Sequence, residues 1–221
     1  MRLALFTYAA PHSKTTELFF NLLRRGHQII FVYTEFRERI KRKVVFSHRP
    51  EQFVGPNIAT LAAAYNVPAV TIDQWSSLKK KVDYGLIGGS NLLPKEVASC
   101  GKIINCHSGI IPQSRGLDSF KWAIREMKSM GTSLHFIDAT ADAGKVIHIE
   151  ETPVFVEDNI STFAERHYRN EIDILSNFAV FLEHGRVREY EAGPRHMRMS
   201  AVEEGIMLEQ FDAYKERFAA K

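Results

Sequence analysis

Tyr84-Gly-Leu-Ile-Gly-Gly-Ser-Asn-Leu-Leu-Pro94 and, eight residues further on, Lys102-Ile-Ile-Asn-Cys-His-Ser-Gly-Ile-Ile-Pro112 follow one plan: a short apolar run breaks directly into a polar, glycine-bearing cluster. Runs of this length bounded by turn residues read as buried strands, and helix-period segments lie between them. Working outward, Leu3–Thr7, His27–Tyr33 and Ala69–Ile72 are further strands. A helix capped by Ser13 or Thr15 carries Leu18, Phe19, Leu22 and Leu23 on one face and stops at Gly26, and Asn57–Tyr65 and Trp75–Lys81 are two more helices. This β-α alternation predicts an α/β fold, an open, mostly parallel twisted sheet with helices on both faces.

The second half changes style. A helix is expected over Asp118–Met130, strands over Ser133–Ile137 and Val146–Val154, and one long helix from Asn159 or Ser161 to about Glu183, closed by Gly185. Residues 186–200 look irregular, and Val202–Ala219 reads as a single last helix. The expected organisation is a domain over residues 1–185 and a C-terminal extension over 186–221.

With 221 residues, 45% hydrophobic and 25% charged, the composition suits a globular chain with a substantial core. No apolar run is long enough to span a bilayer, and the short run at the start reads as a strand rather than a signal peptide. Two cysteines, Cys100 and Cys106, are too few for a disulfide framework and point to reduced thiols in the cytoplasm. The scattered histidines show no metal-ligand spacing, so no metal is expected. A net charge of +3 does not imply nucleic-acid binding, although Arg37, Arg39, Lys41, Arg42 and Lys43 form a basic run that can attract a diphosphate.

In an open parallel sheet, ligands gather beyond the carboxyl ends of the strands. Asn105 and His107 stand two apart at such an end, so an extended backbone aims both toward the same side. An amide and an imidazole there can stabilise an oxyanion or move a proton, and Asp142, in the loop from Asp138 to Gly144, can orient and charge the imidazole.

Taken together, Asn105-Cys-His-Ser-Gly-Ile-Ile-Pro-Gln-Ser-Arg-Gly116, Gly131-Thr-Ser-Leu-His-Phe-Ile-Asp138 and Asp142-Ala-Gly-Lys-Val-Ile147 resemble the folate-dependent formyltransferases. The resemblance covers residues 84–155 well, the N-terminal third in outline and the tail hardly at all. It implies the Rossmann-like formyltransferase fold, with Asn105, His107 and Asp142 as the catalytic trio and N10-formyltetrahydrofolate as formyl donor. It also implies a folate pocket built from Leu86, Gly88, Gly89, Ser90, Asn91, Leu92 and Leu93, from Ile103, and from Asp138, Ala139, Thr140 and Ala141. Leu92 and Ile103 would be its apolar walls.

For the acceptor, the stretch after the first strand, Phe6-Thr-Tyr-Ala-Ala-Pro-His-Ser-Lys-Thr-Thr16, lacks the glycine-rich phosphate loop of the glycinamide ribonucleotide enzymes. With only some 36 residues after Gly185, the C-terminal barrel of the tRNA enzymes is not expected, and neither is the N-terminal domain of the deformylases. Arg115-Gly116 followed by Phe120-Lys-Trp122 resembles the enzymes that formylate nucleotide-linked amino sugars. Tyr8, Lys14, Ser108, Gly109, Ile110, Arg115 and Gly116 are therefore expected to face a dTDP- or UDP-amino deoxysugar, a precursor of surface polysaccharide. Phosphoribosylglycinamide is the alternative acceptor, and a non-catalytic folate- or nucleotide-binding module is the reading from another class. A homodimer is an expectation by family analogy.

Overall fold

A computed structural model describes every residue except 37–42, 139–143, 192 and 221. Strand β1 (Arg2–Tyr8) is buried from Leu3 onward. It leads to α1 (Ser13–Arg24), which buries Leu18, Phe19 and Leu22, as the helical period requires. Neither Ser13 nor Thr15 caps this helix. The cap is His12, whose ring nitrogen accepts from the Thr15 amide. Gly26, at φ +77°, then turns the chain into β2 (Gln28–Thr34), which lies parallel to β1 with Arg2 opposite Gln28 and Tyr8 opposite Thr34. Next come α2 (Ile58–Ala64), capped by Asn57, and β3 (Ala69–Thr71). A single 3-10 turn leads into α3 (Trp75–Leu78), shorter than expected. β4 (Tyr84–Ile87), α4 (Lys95–Ala98) and β5 (Ile103–His107) complete the parallel part.

β6 (Arg115–Gly116) precedes α5 (Ser119–Arg125), which ends five residues before Met130 because Met127 takes a left-handed backbone at φ +51°. β7 (Gly131–Phe136) and β8 (Val146–Glu151) pair antiparallel, and β9 (Val154–Phe155) follows. The expected long helix is two: α6 (Ile160–Ser176), capped by Asn159, and α7 (Phe178–His184). The break falls at Asn177, whose side-chain amide donates to the Asp173 carbonyl at 2.8 Å. Gly185 does end α7, but with an extended φ of −80°. A Cβ there would lie 2.3 Å from the Phe181 carbonyl oxygen, so it is close backbone approach that requires glycine. The stretch expected to be irregular contains β10 (Arg195–His196), parallel to β6, and a bridge from Arg188 to Val146. The last helix is also two, α8 (Ala201–Glu209) and α9 (Phe211–Phe218), before β11 (Ala219–Ala220).

The main sheet has seven strands in the order β3-β2-β1-β4-β5-β7-β8, with β3 through β5 parallel. The chain winds outward from β1 to β3 and then returns to the other side of β1, so the winding reverses between β1 and β4. Ligands of such sheets bind at this switch point, beyond the carboxyl ends.

Contacts divide the chain into two units. The first comprises residues 1–39, 51–105 and 136–141, with a core of Ala4, Phe6, Val32, Trp75 and Ile103 among others. The second comprises residues 40–50, 106–135 and 142–221, with a core built on Phe120, Phe163, Met207, Phe211 and Tyr214. Residues 186–221 thus lie in the same unit as 106–135. Among the described residues, no helix is long and apolar enough to cross a membrane.

Candidate active site

In the first unit, the backbone N–H groups of Gly88 and Gly89 both donate to the Phe6 carbonyl at 3.0 Å, folding the loop after β4 over the end of β1. The loop is close to α1. A Cβ on Gly88 would come within 2.8 Å of Thr15 Oγ1, and one on Gly89 within 2.6 Å of the His12 ring. Asn91 Nδ2 donates to the Glu35 carbonyl at 2.9 Å and ties the loop to the end of β2. Ser90 is half-buried, and Leu93 packs on the core. Leu86 and Ile103 are wholly buried, whereas Leu92 is 76% exposed. The two expected apolar walls therefore differ: Ile103 packs in the core, opposite Gly85 of β4 and with its carbonyl accepting from the Ile137 amide, and Leu92 stands in solvent. Asp138 is exposed, and Ala139, Thr140, Ala141 and Asp142 lie outside the described residues.

β5 carries Asn105 and His107 two residues apart, and strand alternation sends both toward one side and Cys106 toward the other. His107 is buried, with Nε2 2.8 Å from the Ser114 carbonyl oxygen and 3.1 Å from Ser119 Oγ. A carbonyl only accepts, so Nε2 carries a hydrogen and donates. The Ser119 hydroxyl accepts from it and donates onward to the Gly116 carbonyl at 3.2 Å. These two contacts at Nε2 fix the orientation of the ring. Gly109 makes the arrangement possible, because a Cβ there would lie 2.4 Å from the Ser114 carbonyl oxygen and 2.9 Å from His107 Nε2. Ser133 Oγ accepts from the Ile111 amide and donates to the Gly109 carbonyl, holding the turn that buries Ile110.

Behind this turn in the second unit lies a buried polar layer. His167 accepts or donates at Nδ1 with Thr152 Oγ1 (2.9 Å) and interacts with the Ser108 backbone. Its Nε2 is outside strict hydrogen-bond geometry with any partner, so the Ser108 contact is a loose one. Burial pushes His167 down to about 4 and pushes His48, stacked on Phe120, well below its ordinary value, so both are neutral near pH 7. Arg49 pairs with the buried Glu171, and Lys121 with the buried Glu204 at 2.7 Å.

Of the expected acceptor-facing residues, Tyr8 and Lys14 are buried at the end of β1 and in the first turn of α1. Arg115 is also buried, its guanidinium donating to the Gly193 carbonyl. Gly116, at φ +96°, lets the His196 backbone pass where a Cβ would lie 2.2 Å from its carbonyl oxygen. Both residues anchor the β6–β10 pair. Nothing in the linear sequence marks Ser114, Ser119 or Ser133; their roles come from a turn that brings residues 7 to 24 apart into contact. Among the described residues, no group of three His, Cys, Asp or Glu side chains could hold a metal.

The formyl transferase family model matches residues 74–178. This matched segment, just under half of the chain, contains the β4 loop, all of β5 and the His107 turn. The chain is 30% identical over 89 residues to phosphoribosylglycinamide formyltransferase of Haemophilus influenzae, covering 40% of this chain and 42% of that protein. It is 25% identical over 173 residues to methionyl-tRNA formyltransferase of Syntrophus aciditrophicus, covering 73% and 53%. The matched stretches thus span about half or less of these relatives. A formyltransferase from Anoxybacillus kamchatkensis, solved with UDP-4,6-dideoxy-4-formamido-L-AltNAc and tetrahydrofolate, shares the fold: TM-score 0.55 at 17% identity, over 89% of this chain and 85% of that one.

Proposed function

We propose that the protein transfers a formyl group from N10-formyltetrahydrofolate to the amine of a nucleotide-linked amino deoxysugar, working in the cytoplasm where both thiols stay reduced. The observation that supports the reading is the fixed orientation of His107, whose Nε2–H is held by Ser114 and Ser119; in this reading Nδ1 serves the reaction. The uncharged amine of the acceptor attacks the formyl carbon. The carbonyl oxygen becomes an oxyanion, stabilised by the Asn105 side-chain amide and by Nδ1–H of a charged His107. Asp142, matched by its motif, holds that charge and relays the amine's proton to N10 as the C–N10 bond breaks. The products are the formamide and tetrahydrofolate, with no oxidant or metal required.

The test is release of tetrahydrofolate by the full chain, given the formyl donor and a panel of amines. Turnover is expected with a dTDP- or UDP-amino sugar. His107→Ala and Asn105→Ala should each lower kcat about a hundred- to a thousandfold. Unchanged turnover in His107→Ala would remove the mechanism. A second reading, phosphoribosylglycinamide as acceptor, is favoured by the 30% identity to the Haemophilus enzyme, and the same panel separates the two. Binding of folate without turnover on any amine would instead support a non-catalytic module.

A further inference from the structure

Four aromatic rings of the first unit meet at the carboxyl end of β1, and no step of the proposed transfer uses them. Tyr8 packs edge-on against His12 (5.4 Å between centroids, 75°) and Phe36 (5.6 Å, 81°). Phe53 closes the group against Phe36 at 5.1 Å and His12 at 5.6 Å. The cluster has a floor and an open side. Tyr8 and His12 are buried, whereas Phe36 and Phe53 are 43% and 46% exposed. The floor is rigid, since His12 Nδ1 bonds Thr15 Oγ1 at 2.9 Å, its ring caps α1, and Gly89 lies against it. The cluster also stands at the β1/β4 reversal, where sheets of this winding bind ligands.

We infer that Phe36 and Phe53, supported by Tyr8 and His12, form a stacking platform for the nucleobase of a nucleoside-diphosphate-linked acceptor. A planar base offers a π-face to any aromatic ring, which makes stacking suitable for a group that must be held but not altered. A ribose phosphate without a base has nothing to place there. The inference rests on the proposed transferase reading and narrows its acceptor to molecules that carry a base. Lys14, in the first turn of α1, places a cation at the same end of the sheet as the platform.

The experiment is calorimetric titration of the full chain with UDP, dTDP, ribose 5-phosphate and tetrahydrofolate, in wild type and in Phe53→Ala, Phe36→Ala and Phe53→Leu. The leucine variant keeps apolar bulk while removing the ring, and thermal melts confirm that each variant folds. At least one nucleotide is expected to bind tenfold or more tightly than ribose 5-phosphate. Each substitution should weaken that nucleotide about tenfold or more and leave tetrahydrofolate binding unchanged. Equal affinity for ribose 5-phosphate, or nucleotide binding indifferent to loss of the rings, would overturn the platform. A selective loss of tetrahydrofolate binding would also overturn it and assign the rings to the donor. Failure of the transferase reading itself is a separate result: nucleotides bind as expected, but no acceptor yields tetrahydrofolate.

Discussion

Lys121 on α5 and Glu204 on α8 form an ion pair at 2.7 Å with side chains only 1% and 0% exposed. The second oxygen of Glu204 accepts from the backbone amides of Val45 and Phe46. Burial pushes the Glu204 carboxyl up, but the donors from Lys121, Val45 and Phe46 and the lysine's charge outweigh it and hold the group below its ordinary value. Removing one partner of such a pair leaves a buried charge without compensation, at a cost of about 3–5 kcal/mol. Lys121→Met and Glu204→Gln should therefore each destabilise the fold by about 3 kcal/mol at pH 7. In a chain of this size that lowers Tm by roughly 6–12 °C. The double variant removes both charges while the glutamine oxygen still accepts from the two amides. It should recover to within about 1–2 kcal/mol of wild type. The sign of the pH effect follows from the lowered Glu204 group: in wild type its contribution is present above about 4.5 and is lost as pH falls. In Lys121→Met the carboxyl is raised instead, so the gap to wild type should narrow on going from pH 7 to pH 5. Urea titrations of the four proteins at both pH values form the cycle. Single substitutions costing under about 1 kcal/mol, or costs that simply add in the double variant, would refute the reasoning.

Three other expectations follow from named contacts. Gly109→Ala should lower kcat a hundredfold or more and also lower Tm, because its Cβ would force the Ser114 carbonyl away from His107 Nε2; misplacement by about an ångström costs that much rate, and overpacking a buried turn costs about 1–3 kcal/mol. Ser119→Ala removes one of two acceptors on Nε2–H and should lower kcat up to about tenfold at constant KM, with Ser119→Thr recovering most of it. Asp158 is held down to about 2, first by the hydrogen-bonded Arg166, then by the Phe155 amide and Thr162 hydroxyl. Its stabilisation is full above about 4 and is lost as pH falls toward 2. Asp158→Asn should accordingly cost roughly 1–2 kcal/mol at pH 7, discounted for solvent around Arg166, and progressively less in melts below pH 4.

The parallel half of the fold was legible because each apolar run is short and each helix keeps its own stripe, so local pattern and final sheet agree. The helical boundaries of the second half were not. Apolar residues continue across Asn177 and Gln210, and the helices break there without a glycine or proline: the Asn177 amide bonds the Asp173 carbonyl, and the Gln210 side chain accepts from the distant Arg125. His12 was overlooked as a cap because its side chain rarely serves as one; here the ring nitrogen does what a serine hydroxyl would. At the candidate site, Asn105 and His107 could be read from their spacing on one strand. Ser119 and the paired rings of Phe36 and Phe53 could not, since 17 positions separate the two phenylalanines and only the folded loops bring them together. Arg115 read as a substrate-facing charge, yet its guanidinium binds the backbone of Gly193.

The alternation along β5 has a practical corollary. Cys106, between Asn105 and His107, faces the interior and is 2% exposed, whereas Cys100 is only partly covered. A thiol reagent added to the folded chain should modify Cys100 first and reach Cys106 only when β5 opens. The slow labelling phase thus becomes a clock for fluctuations of the strand itself, readable by mass spectrometry with no ligand or activity assay.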